Sequence, residues 1–342
     1  MENANILVTG GAGFIGSHLA SRLLDRGHAV TVLDDLSGGF IENVDPRARF
    51  VQGSITNDKL VNAIFCESGI QYVFHFAAYA AEGLSHFIKK FNYENNLIGS
   101  VNLINAAINH RVKCFVFTSS IAVYGKNQVP MTEEMVPMPE DPYGIAKLAV
   151  EQELRVSQEM FGLDYVIFRP HNVYGERQNI GDRYRNVVGI FMNQIMQCRP
   201  MTVFGDGEQS RAFTYVSDVV RVIADSPFNA QARNQIFNVG ADTPYTVNEL
   251  AEKVATAMGV PVNIMYLDPR SEVKHAFSSH ERLRDVFAYA AKVSLEDGLK
   301  RMASWARGAG AKQSKRFSGV EVTKNMPKSW LEEFLPECRE MR

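Results

Sequence analysis

Cysteine is scarce in this sequence, with four residues among 342, and the four are widely scattered. Cys66, Cys114, Cys198 and Cys338 form no CxxC pair and no metal-ligand spacing, so we expect reduced thiols and no metal site. The sequence also lacks any run of about 18 apolar residues, which argues against a membrane-spanning helix. It opens without the basic stretch and long apolar run of a signal peptide. Together these absences predict a cytoplasmic protein.

An excess of charge of one sign is also lacking. The formal net charge is −2, with 36 Lys and Arg against 38 Asp and Glu. This balance gives no electrostatic attraction toward nucleic acid or an anionic membrane, and we expect neither as a partner. Hydrophobic residues make up 46% of the chain, which is ordinary for a globular protein. A length of 342 residues allows one large domain or two closely associated ones.

Short apolar runs alternate with helical patterns from residue 5 onward. Runs rich in Val, Ile and Phe lie at 5–10, 29–35, 49–55, 72–78, 114–120 and 164–170. Strands of this composition, when helices separate them, are typical of a parallel sheet that is covered on both faces. The pattern therefore predicts an α/β fold.

The regular alternation ends near residue 170. The stretch 171–186 is polar and without a clear period, and short mixed elements follow it. We therefore predict three parts: a sheet domain at 1–170, a smaller lobe at 171–305 with some return of chain to the first domain, and a tail at 306–342. The tail is basic and rich in small residues around RGAGAKQSKRF, which is typical of a solvated, mobile segment.

A glycine-rich segment, TGGAGFIGSHL at 9–19, lies between the first predicted strand and a helical pattern. Gly10, Gly13 and Gly16 permit a tight turn and let the main chain approach a pyrophosphate at the helix N-terminus. Asp34 ends the next strand, 18 residues after Gly16. A carboxylate there accepts hydrogen bonds from the adenosine ribose and repels a 2′-phosphate, so the pattern predicts NAD rather than NADP.

Tyr143 and Lys147, in DPYGIAKLAVE at 141–151, are four residues apart. On a helix they share one face, one turn apart, and Pro142 suits the start of that helix. An ammonium near a phenol favours the phenolate, as does the positive nicotinamide ring of NAD+, so we expect a tyrosine pKa lowered toward neutrality. The tyrosine is therefore a candidate general base, supported by the hydroxyl cluster TSS at 118–120.

These motifs resemble those of the extended short-chain dehydrogenase/reductase family, and within it the sugar-nucleotide epimerases and dehydratases. The matching segments are TGGAGFIG, Asp34, HFAA at 75–78, Asn95, TSSIAVYG at 118–125, Tyr143 with Lys147, FRPHNVYG at 168–175, FGDGEQSRAFTYVSD at 204–218 and DPRSEV at 268–273. They cover nearly the whole chain. The resemblance is greatest to the 4-epimerases of UDP-galactose and UDP-glucuronate.

The resemblance implies a doubly wound Rossmann sheet that holds NAD and a smaller C-terminal α/β lobe that holds a nucleotide sugar. Its implied catalytic residues are Ser120, bonded to the sugar O4, Tyr143, and Lys147, which holds the nicotinamide ribose. The candidate NAD-binding residues are Gly10, Gly13, Phe14, Ile15, Gly16, Asp34, Asp35, Ser54, Ile55, Phe76, Ala77, Ala78, Asn95, Thr118, Ser119, Tyr143, Lys147 and Pro170. The candidate substrate-binding residues are Ser120, Tyr143, Asn172, Arg185, Val203, Phe204, Arg211, Arg270 and Glu272; Asn172, Arg211 and Arg270 match family residues at the diphosphate.

The residue at position 122 limits which of the family's reactions we expect. In the family, Tyr143 would take the O4 proton while C4 gives hydride to NAD+, which leaves a 4-keto sugar. Dehydratases, decarboxylases and a 3,5-epimerase carry an acid or base at the positions of Ile121 and Ala122, which here cannot transfer a proton. Since a missing base costs on the order of a hundredfold in rate, we predict return of hydride to the opposite face, which is 4-epimerisation. A dehydratase or other oxidoreductase of the family, and a GDP-sugar epimerase, are the alternatives.

The sequence leaves the sugar open. Arg177, Arg183 and Arg185 lie in GERQNIGDRYRNV at 175–187, where arginines would hold a C6 carboxylate. Uronate epimerases, however, carry an arginine near the position of Asn179. UDP-hexuronate and neutral UDP-hexose are therefore equally supported as substrates.

Two further expectations come from the resemblance. Ala276 matches a position where a bulky tyrosine in some family members excludes an N-acetyl group at C2, so N-acetylhexosamines also stay open. The family pairs two subunits through helices, here around 93–109 and 143–160, which predicts a homodimer.

Overall fold

The computed structural model of the chain describes residues 3–269, 273–313, 317–328, 330 and 331. Its strands are β1 Asn5–Thr9, β2 Ala29–Asp34, β3 Arg49–Gln52, β4 Tyr72–His75, β5 Cys114–Thr118, β6 Tyr165–Pro170, β7 Val173–Tyr174, β8 Met201–Phe204, β9 Ser210–Ala212, β10 Thr214–Tyr215, β11 Gln235–Val239, β12 Pro244–Thr246, β13 Ile264–Leu267 and β14 His275–Ala276. Seven of them form one parallel sheet in the order β11-β6-β5-β4-β1-β2-β3. The predicted α/β fold with a doubly wound parallel sheet is confirmed.

Helices cover both faces of this sheet. They are α1 Phe14–Asp25, α2 Asp58–Ser68, α3 Glu82–Ser85, α4 Lys89–Tyr93, α5 Gly99–Asn109, α6 Pro142–Phe161, α7 Val187–Met196, α8 Val216–Asp225, α9 Val247–Ala257, α10 Glu281–Phe287 and α11 Leu295–Ala309. α1 and α8 bury Leu19 and Val219 on one face, whereas α2, α5 and α6 bury Val61, Leu103 and Val150 on the other. Within the described ranges, no helix is long and apolar enough to cross a membrane.

The strand order reverses between β1 and β4, from which the chain winds outward in both directions. Parallel strands that diverge in this way leave a crevice at their carboxyl ends, and ligands of such sheets bind there. The ends of β1, β4 and β5 carry Thr9, His75 and Thr118. Thr9 and His75 are tied together by a bond of 2.7 Å between Oγ1 and Nδ1. The crevice therefore has a rigid floor at the position where the sequence predicts the nucleotide.

α6 begins and ends where its sequence dictates. The Asp141 carboxylate accepts a hydrogen bond of 2.9 Å from the Gly144 N–H. Pro142 lies in the first turn, where a backbone N–H has no partner within the helix, so the absence of this group in proline costs nothing. The helix stops at Gly162, whose φ of +72° is in the left-handed region. Tyr143 and Lys147 therefore lie in the first two turns, at the end of the helix nearest the crevice.

The C-terminal lobe has a core of its own. α7, α9 and α11 bury Phe191, Leu250 and Leu299 against one another. Small sheets made of β8 with β13, and of β9 with β12 and β14, flank this core. The chain also returns to the first domain within 171–305, since β11 extends the main sheet beside β6. The lobe is therefore anchored to the edge of the sheet whose crevice it faces.

The described part of the tail differs from the solvated, mobile segment expected from its composition. Met326 and Trp330 are buried against Leu84 and Phe87 of the segment that contains α3 and α4. Met326 is 4% exposed and Trp330 is 6% exposed. Sparse apolar anchors, rather than the basic and small residues between them, decide the position of this segment, because each large side chain removes much apolar area from water.

A buried ion pair joins α6 to β6. Arg169 Nε lies 2.9 Å from Glu151 Oε1, and the two side chains are 2% and 1% exposed. The Ser119 hydroxyl donates to the same carboxylate. The Arg169 guanidinium also lies 4.7 Å from the centroid of the Tyr124 ring, and the Tyr124 hydroxyl donates to Asn238 Oδ1 at 2.8 Å. This network fixes the hydroxyl segment after β5 relative to α6.

Removing one partner of this network should destabilise the fold strongly. Glu151→Ala leaves a buried guanidinium without its carboxylate, and we expect a loss of about 3–5 kcal/mol in the free energy of unfolding, measured by urea denaturation. Glu159→Ala is the matched control, since Glu159 pairs with Arg155 on the exposed face of the same helix. That change should cost less than about 1 kcal/mol. Equal losses in the two variants would contradict the structural importance of the buried pair.

Candidate active site

A cavity of about 680 Å³ opens at the carboxyl ends of the central strands and reaches the C-terminal lobe. All predicted site residues that the structure describes lie in its wall: Gly10, Gly13, Phe14, Ile15, Gly16, Asp34, Asp35, Ser54, Ile55, Phe76, Ala77, Ala78, Asn95, Thr118, Ser119, Ser120, Tyr143, Lys147, Pro170, Asn172, Arg185, Val203, Phe204 and Arg211. Arg270 and Glu272 lie outside the described residues. The structure thus brings the two predicted sets together in one site, while the role of each residue stays a prediction.

The glycine-rich turn lies between β1 and α1. Gly10 has φ of +72°, and a Cβ atom there would lie 2.6 Å from the Ala77 main-chain nitrogen, so no larger residue fits without displacement. The Gly13 N–H donates to the Gly10 carbonyl at 3.1 Å. α1 begins after Gly13 with no side-chain cap and no acidic residue in its first turn. Its first N–H groups and its positive dipole end are therefore suited to a phosphate group.

Asp34 has a second function that its position in the sequence did not reveal. Its Oδ2 accepts the Ala12 N–H at 3.0 Å and its Oδ1 accepts the Leu36 N–H at 2.8 Å. The carboxylate therefore holds the glycine turn as well as facing the cavity. Burial raises its pKa, and these N–H donors oppose that shift. Each oxygen retains a lone pair, which leaves room for the ribose contact that the sequence predicts.

The wall of the cavity fits a dinucleotide. Thr118 Oγ1 is buried and has no hydrogen-bond partner among the described residues. A buried hydroxyl without a partner costs free energy, so it is explained best by a ligand that supplies one. The glycine turn suits a pyrophosphate and Asp34 suits a ribose. These observations fit NAD, which would be held by the turn, Asp34 and the β5 end.

Lys147 is anchored to the end of β5. Its Nζ donates to the Thr118 carbonyl at 2.8 Å and lies 4.7 Å from the centroid of the Phe117 ring. The side chain is 3% exposed. Burial lowers the pKa of Lys147 to about 7, while the Glu151 carboxylate acts in the opposite direction. The ammonium is thus ready to donate to a second acceptor in the cavity.

Tyr143 lies beside Lys147, with the lysine Nζ 5.7 Å from the centroid of its ring. Burial raises the pKa of Tyr143, while interaction with the Ser120 hydroxyl lowers it. The pKa is thus above its ordinary value, whereas the sequence predicts a lowered one. Burial outweighs the attraction of nearby positive charge, because removal from water penalises the phenolate.

Ser120 and Ala122 belong to a tight turn at Ile121–Tyr124 that follows β5. Ser120 Oγ accepts the Ala122 N–H at 3.1 Å. The turn packs on the start of α6 so closely that a Cβ atom at Gly144 would lie 2.7 Å from the Ala122 carbonyl. Ala122 lies in the cavity wall, so the predicted lack of an acid or base concerns a position that faces the site.

Three carboxylates and one imidazole of the cavity wall are missing from the predicted set: Glu82, Glu140, Asp141 and His86. The negative charges of Glu82 and Asp141 raise the pKa of Tyr143. The sequence could have predicted Glu82 as a site residue, since it follows shortly after β4 and the carboxyl ends of parallel strands face the ligand. Within the described ranges, these groups and the other His, Cys, Asp and Glu side chains form no cluster of three that could hold a metal ion.

The C-terminal lobe contributes the other half of the cavity. Asn172, at φ of +39°, donates from Nδ2 to the Ala212 carbonyl at 3.2 Å. The Arg211 guanidinium donates to the Ser210 and Lys274 carbonyls at 2.8 and 2.9 Å. These main-chain bonds fix the position of the arginine at the cavity wall. Its charge is not cancelled by them, which suits the predicted contact with a diphosphate.

Two of the three arginines of the 175–187 segment, Arg177 and Arg185, bind different partners. Arg177 donates to the Ser17 carbonyl and to Ser21 Oγ, both at 3.2 Å, and so binds α1. Arg185 lies in the cavity wall, where its Nε is 2.7 Å from Asp182 Oδ2. The predicted arginine loop therefore presents Arg185 to the site together with a carboxylate that neutralises it.

The Rossmann sheet, its glycine turn and the Tyr143–Lys147 pair are typical of NAD-dependent enzymes with this fold. Residues 6–240 match the NAD dependent epimerase/dehydratase family. The chain belongs to this family, as its motifs predict, and the family's dependence on NAD agrees with the predicted cofactor.

Relatives of this chain match over most of their length. The putative UDP-glucose 4-epimerase of Methanocaldococcus jannaschii is 32% identical over 88% of this chain and 97% of its own. The crystal structure of UDP-glucose 4-epimerase from Thermotoga maritima with UDP-glucose is 36% identical, with a TM-score of 0.85, over 89% of this chain and 99% of its own. The crystal structure of UDP-glucuronic acid 4-epimerase from Bacillus cereus, in complex with UDP-glucuronic acid and NAD, is 26% identical, with a TM-score of 0.82. The match covers 89% of this chain and 99% of its own.

The buried Lys147 ammonium should make stability depend on pH. Burial lowers its pKa from the ordinary 10.5 to about 7. The unfolded chain keeps this proton up to about pH 10.5, whereas the folded chain releases it near pH 7, so the free energy of unfolding rises with pH between these values. We expect urea denaturation of nucleotide-free protein to show this rise, and Lys147→Met to reduce it.

The control for this measurement is Lys113→Met. Lys113 is an exposed lysine just before β5. Its replacement should leave the slope of stability against pH unchanged, because its ammonium stays in contact with water when the chain folds. If Lys147→Met showed the same slope as the wild type, the pH dependence of stability would not come from Lys147.

Proposed function

We propose that the protein is an NAD+-dependent UDP-hexose 4-epimerase that interconverts UDP-glucose and UDP-galactose through a 4-keto intermediate. The observation that carries this proposal is the group formed by Tyr143, Lys147 and Ser120 in the cavity wall, beside an alanine at position 122. Bound NAD+ would supply a hydride acceptor for C4 and return the hydride to either face. The UDP-sugar epimerases among the relatives support a uridine nucleotide.

Each residue of the group has a distinct task. The Tyr143 phenolate, which the ammonium of Lys147 and the positive ring of bound NAD+ would favour, takes the proton from O4. The resulting phenol gives the proton back after the sugar has turned in the cavity. Ser120 already accepts the Ala122 N–H, so its own hydroxyl hydrogen is available for O4 or for Tyr143. Lys147, fixed to the Thr118 carbonyl, brings positive charge near the Tyr143 phenolate.

The charges around Tyr143 favour a neutral hexose. Glu82 and Asp141 both raise the pKa of Tyr143, so their negative charges act on the catalytic end of the cavity. Arg185, a cation that also acts on Tyr143, already forms an ion pair with Asp182. A C6 carboxylate near Glu82 and Asp141 would meet like charges at short range, which is unfavourable.

UDP-glucuronate is the second candidate. Arg185 lowers the pKa of Tyr143, so its positive charge also acts on the catalytic end of the cavity. The Bacillus cereus relative that binds UDP-glucuronic acid is consistent with this choice. N-acetylhexosamines stay open because Ala276, a small residue, lies in the cavity wall. A dehydratase would need a proton-transfer group elsewhere, and Glu82 is the carboxylate to consider first.

The proposal is tested by incubating the purified protein with UDP-glucose, UDP-N-acetylglucosamine or UDP-glucuronate and identifying the products by anion exchange and NMR. We expect UDP-galactose from UDP-glucose, with no reductant added. Tyr143→Phe should lower kcat by about a hundredfold or more, because the proton acceptor is lost. Tyr72→Phe is the matched control, since both tyrosines are 8% exposed. Tyr72 begins β4, whereas the cavity lies at the carboxyl end of that strand. Loss of water from the sugar, or no product at all, would contradict 4-epimerisation.

Glu82→Gln separates the two sugar candidates in the same assay. The amide keeps the shape of the side chain but removes its charge. If Glu82 excludes uronates, this variant should gain kcat/KM for UDP-glucuronate relative to UDP-glucose. Wild-type activity on UDP-glucuronate alone, lost in Arg185→Ala, would instead assign Arg185 to carboxylate binding.

We also propose that two copies pair through the helices around α5 and α6. Support comes from exposed apolar residues there: Ile98, Ile145, Val156 and Met160 are 52%, 43%, 42% and 69% exposed. Ile145, Val156 and Met160 share one face of α6 because their spacing is close to whole helical turns. An apolar stripe of this kind is typical of an interface.

Light scattering should therefore give twice the 38.2 kDa of one chain. A charged residue at the centre of the stripe, Val156→Glu, should shift the protein toward the monomer. Val262→Glu is the control, because Val262 is 50% exposed in the C-terminal lobe, away from α6. A wild-type monomer would refute the pairing.

A further inference from the structure

The described residues of 310–331, which we call the C-terminal strap, run from the C-terminal lobe to the segment around α3 and α4. At one end, the strap is bound to α7. Asn193 Nδ2 donates to the Lys312 carbonyl at 2.9 Å, the Lys312 N–H donates to Asn193 Oδ1 at 2.8 Å, and Gln197 Nε2 donates to the same carbonyl at 2.8 Å. The strap is therefore fixed to the lobe by reciprocal bonds to one side chain.

At the other end, the strap is bound to the first domain. The Glu321 carboxylate accepts the main-chain N–H groups of Lys90 and Phe91 at 2.8 and 2.9 Å, at the start of α4. The Glu321 N–H donates to the Phe87 carbonyl at 2.8 Å. Hydrogen bonds from backbone N–H groups to a carboxylate are among the stronger kinds in proteins. The strap thus joins the two parts of the protein that enclose the cavity.

Aromatic residues of the strap, one between these attachments and one beyond them, pack against residues of the cavity wall. The Phe317 ring lies 5.3 Å from that of Tyr79 and 4.9 Å from that of Phe91, centroid to centroid. The Trp330 ring lies 5.2 Å from that of Tyr184. Tyr79, Phe91 and Tyr184 all line the cavity. Aromatic pairs in such geometry add stability beyond the area that they bury.

The same contacts hold the segment that carries Arg185. Its guanidinium lies 4.9 Å from the centroid of the Tyr79 ring, which also contacts the Phe317 ring. Gly181 lies against the strap, since a Cβ atom there would be 2.9 Å from the Lys312 Cβ. Arg185 is therefore fixed through Tyr79 and through its own segment, and both are held by the strap.

We propose that Phe317 and Trp330 are positioning residues that set the affinity of the site for the sugar part of its substrate. They act through Tyr79, Tyr184 and Arg185 and touch neither the glycine turn nor the Tyr143–Lys147 pair. This inference rests on the proposed function in that its ligand is a nucleotide sugar. A loosened wall would weaken binding of the sugar while leaving the nucleotide and the chemical step intact.

The test compares Phe317→Ala and Trp330→Ala with the wild type by steady-state kinetics and by calorimetric titration. We expect KM for UDP-glucose to rise roughly tenfold in each, with kcat changed less than about twofold. Affinity for UDP, which lacks the sugar, should be unchanged, as should the content of bound NAD. Phe317→Tyr and Trp330→Phe keep the ring contacts and should restore KM. Val322→Ala, in an exposed residue of the strap, should have no effect.

Two results would overturn the inference. One is an unchanged KM for UDP-glucose in both alanine variants. The other is a parallel loss of UDP affinity, bound NAD and thermal stability, which would make the strap a purely structural element. Because titration with UDP-glucose needs no turnover, a wild type that binds UDP-glucose but does not convert it would refute the proposed function alone. A wild type that binds no UDP-glucose would refute both.

Discussion

The buried ion pair between Glu151 and Arg169 is the interaction on which the site depends. Each partner is buried almost completely, so neither charge is tolerable without the other. The Glu151 carboxylate also accepts a hydrogen bond from the Ser119 hydroxyl, and the Arg169 guanidinium lies over the Tyr124 ring. The pair therefore sets the distance between α6, with its tyrosine and lysine, and the hydroxyl segment after β5. A catalytic group drawn from two elements needs such a joint, because small displacements cost large factors in rate.

Around that joint the cavity has an uneven charge distribution. The dinucleotide side offers the glycine turn and the positive end of α1, which suit an anion. The catalytic end combines Glu82 and Asp141 with an arginine that is paired to Asp182. This arrangement is the basis of our proposal of a substrate with a charged diphosphate and an uncharged sugar. Arg211, held by main-chain carbonyls, lies in the cavity wall on the lobe side.

The sequence predicted best what is local or strongly patterned. The apolar runs gave the central strands, and the glycine turn, Asp34 and the Tyr143–Lys147 spacing each lie within one short segment whose geometry is fixed by the backbone. Glu82, by contrast, reaches Tyr143 only through tertiary packing, and the pairing of Arg185 with Asp182 is a choice among several arginines that composition cannot make. The prediction of a solvated, mobile tail was wrong for the strap because Phe317, Met326 and Trp330 recur with no regular period. Their burial depends on contacts with distant parts of the chain, which the sequence pattern does not show.

The strap also has a consequence for how the protein is made. Glu321 binds Lys90 at a sequence separation of 231 residues, so this contact closes a very long loop. Synthesis proceeds from the N-terminus, and domains fold as they emerge. The sheet, the glycine turn and the catalytic helix can therefore assemble while one wall of the cavity still waits for a segment that has not been translated. A nascent chain of this enzyme would be ready for its dinucleotide before it is ready for its sugar.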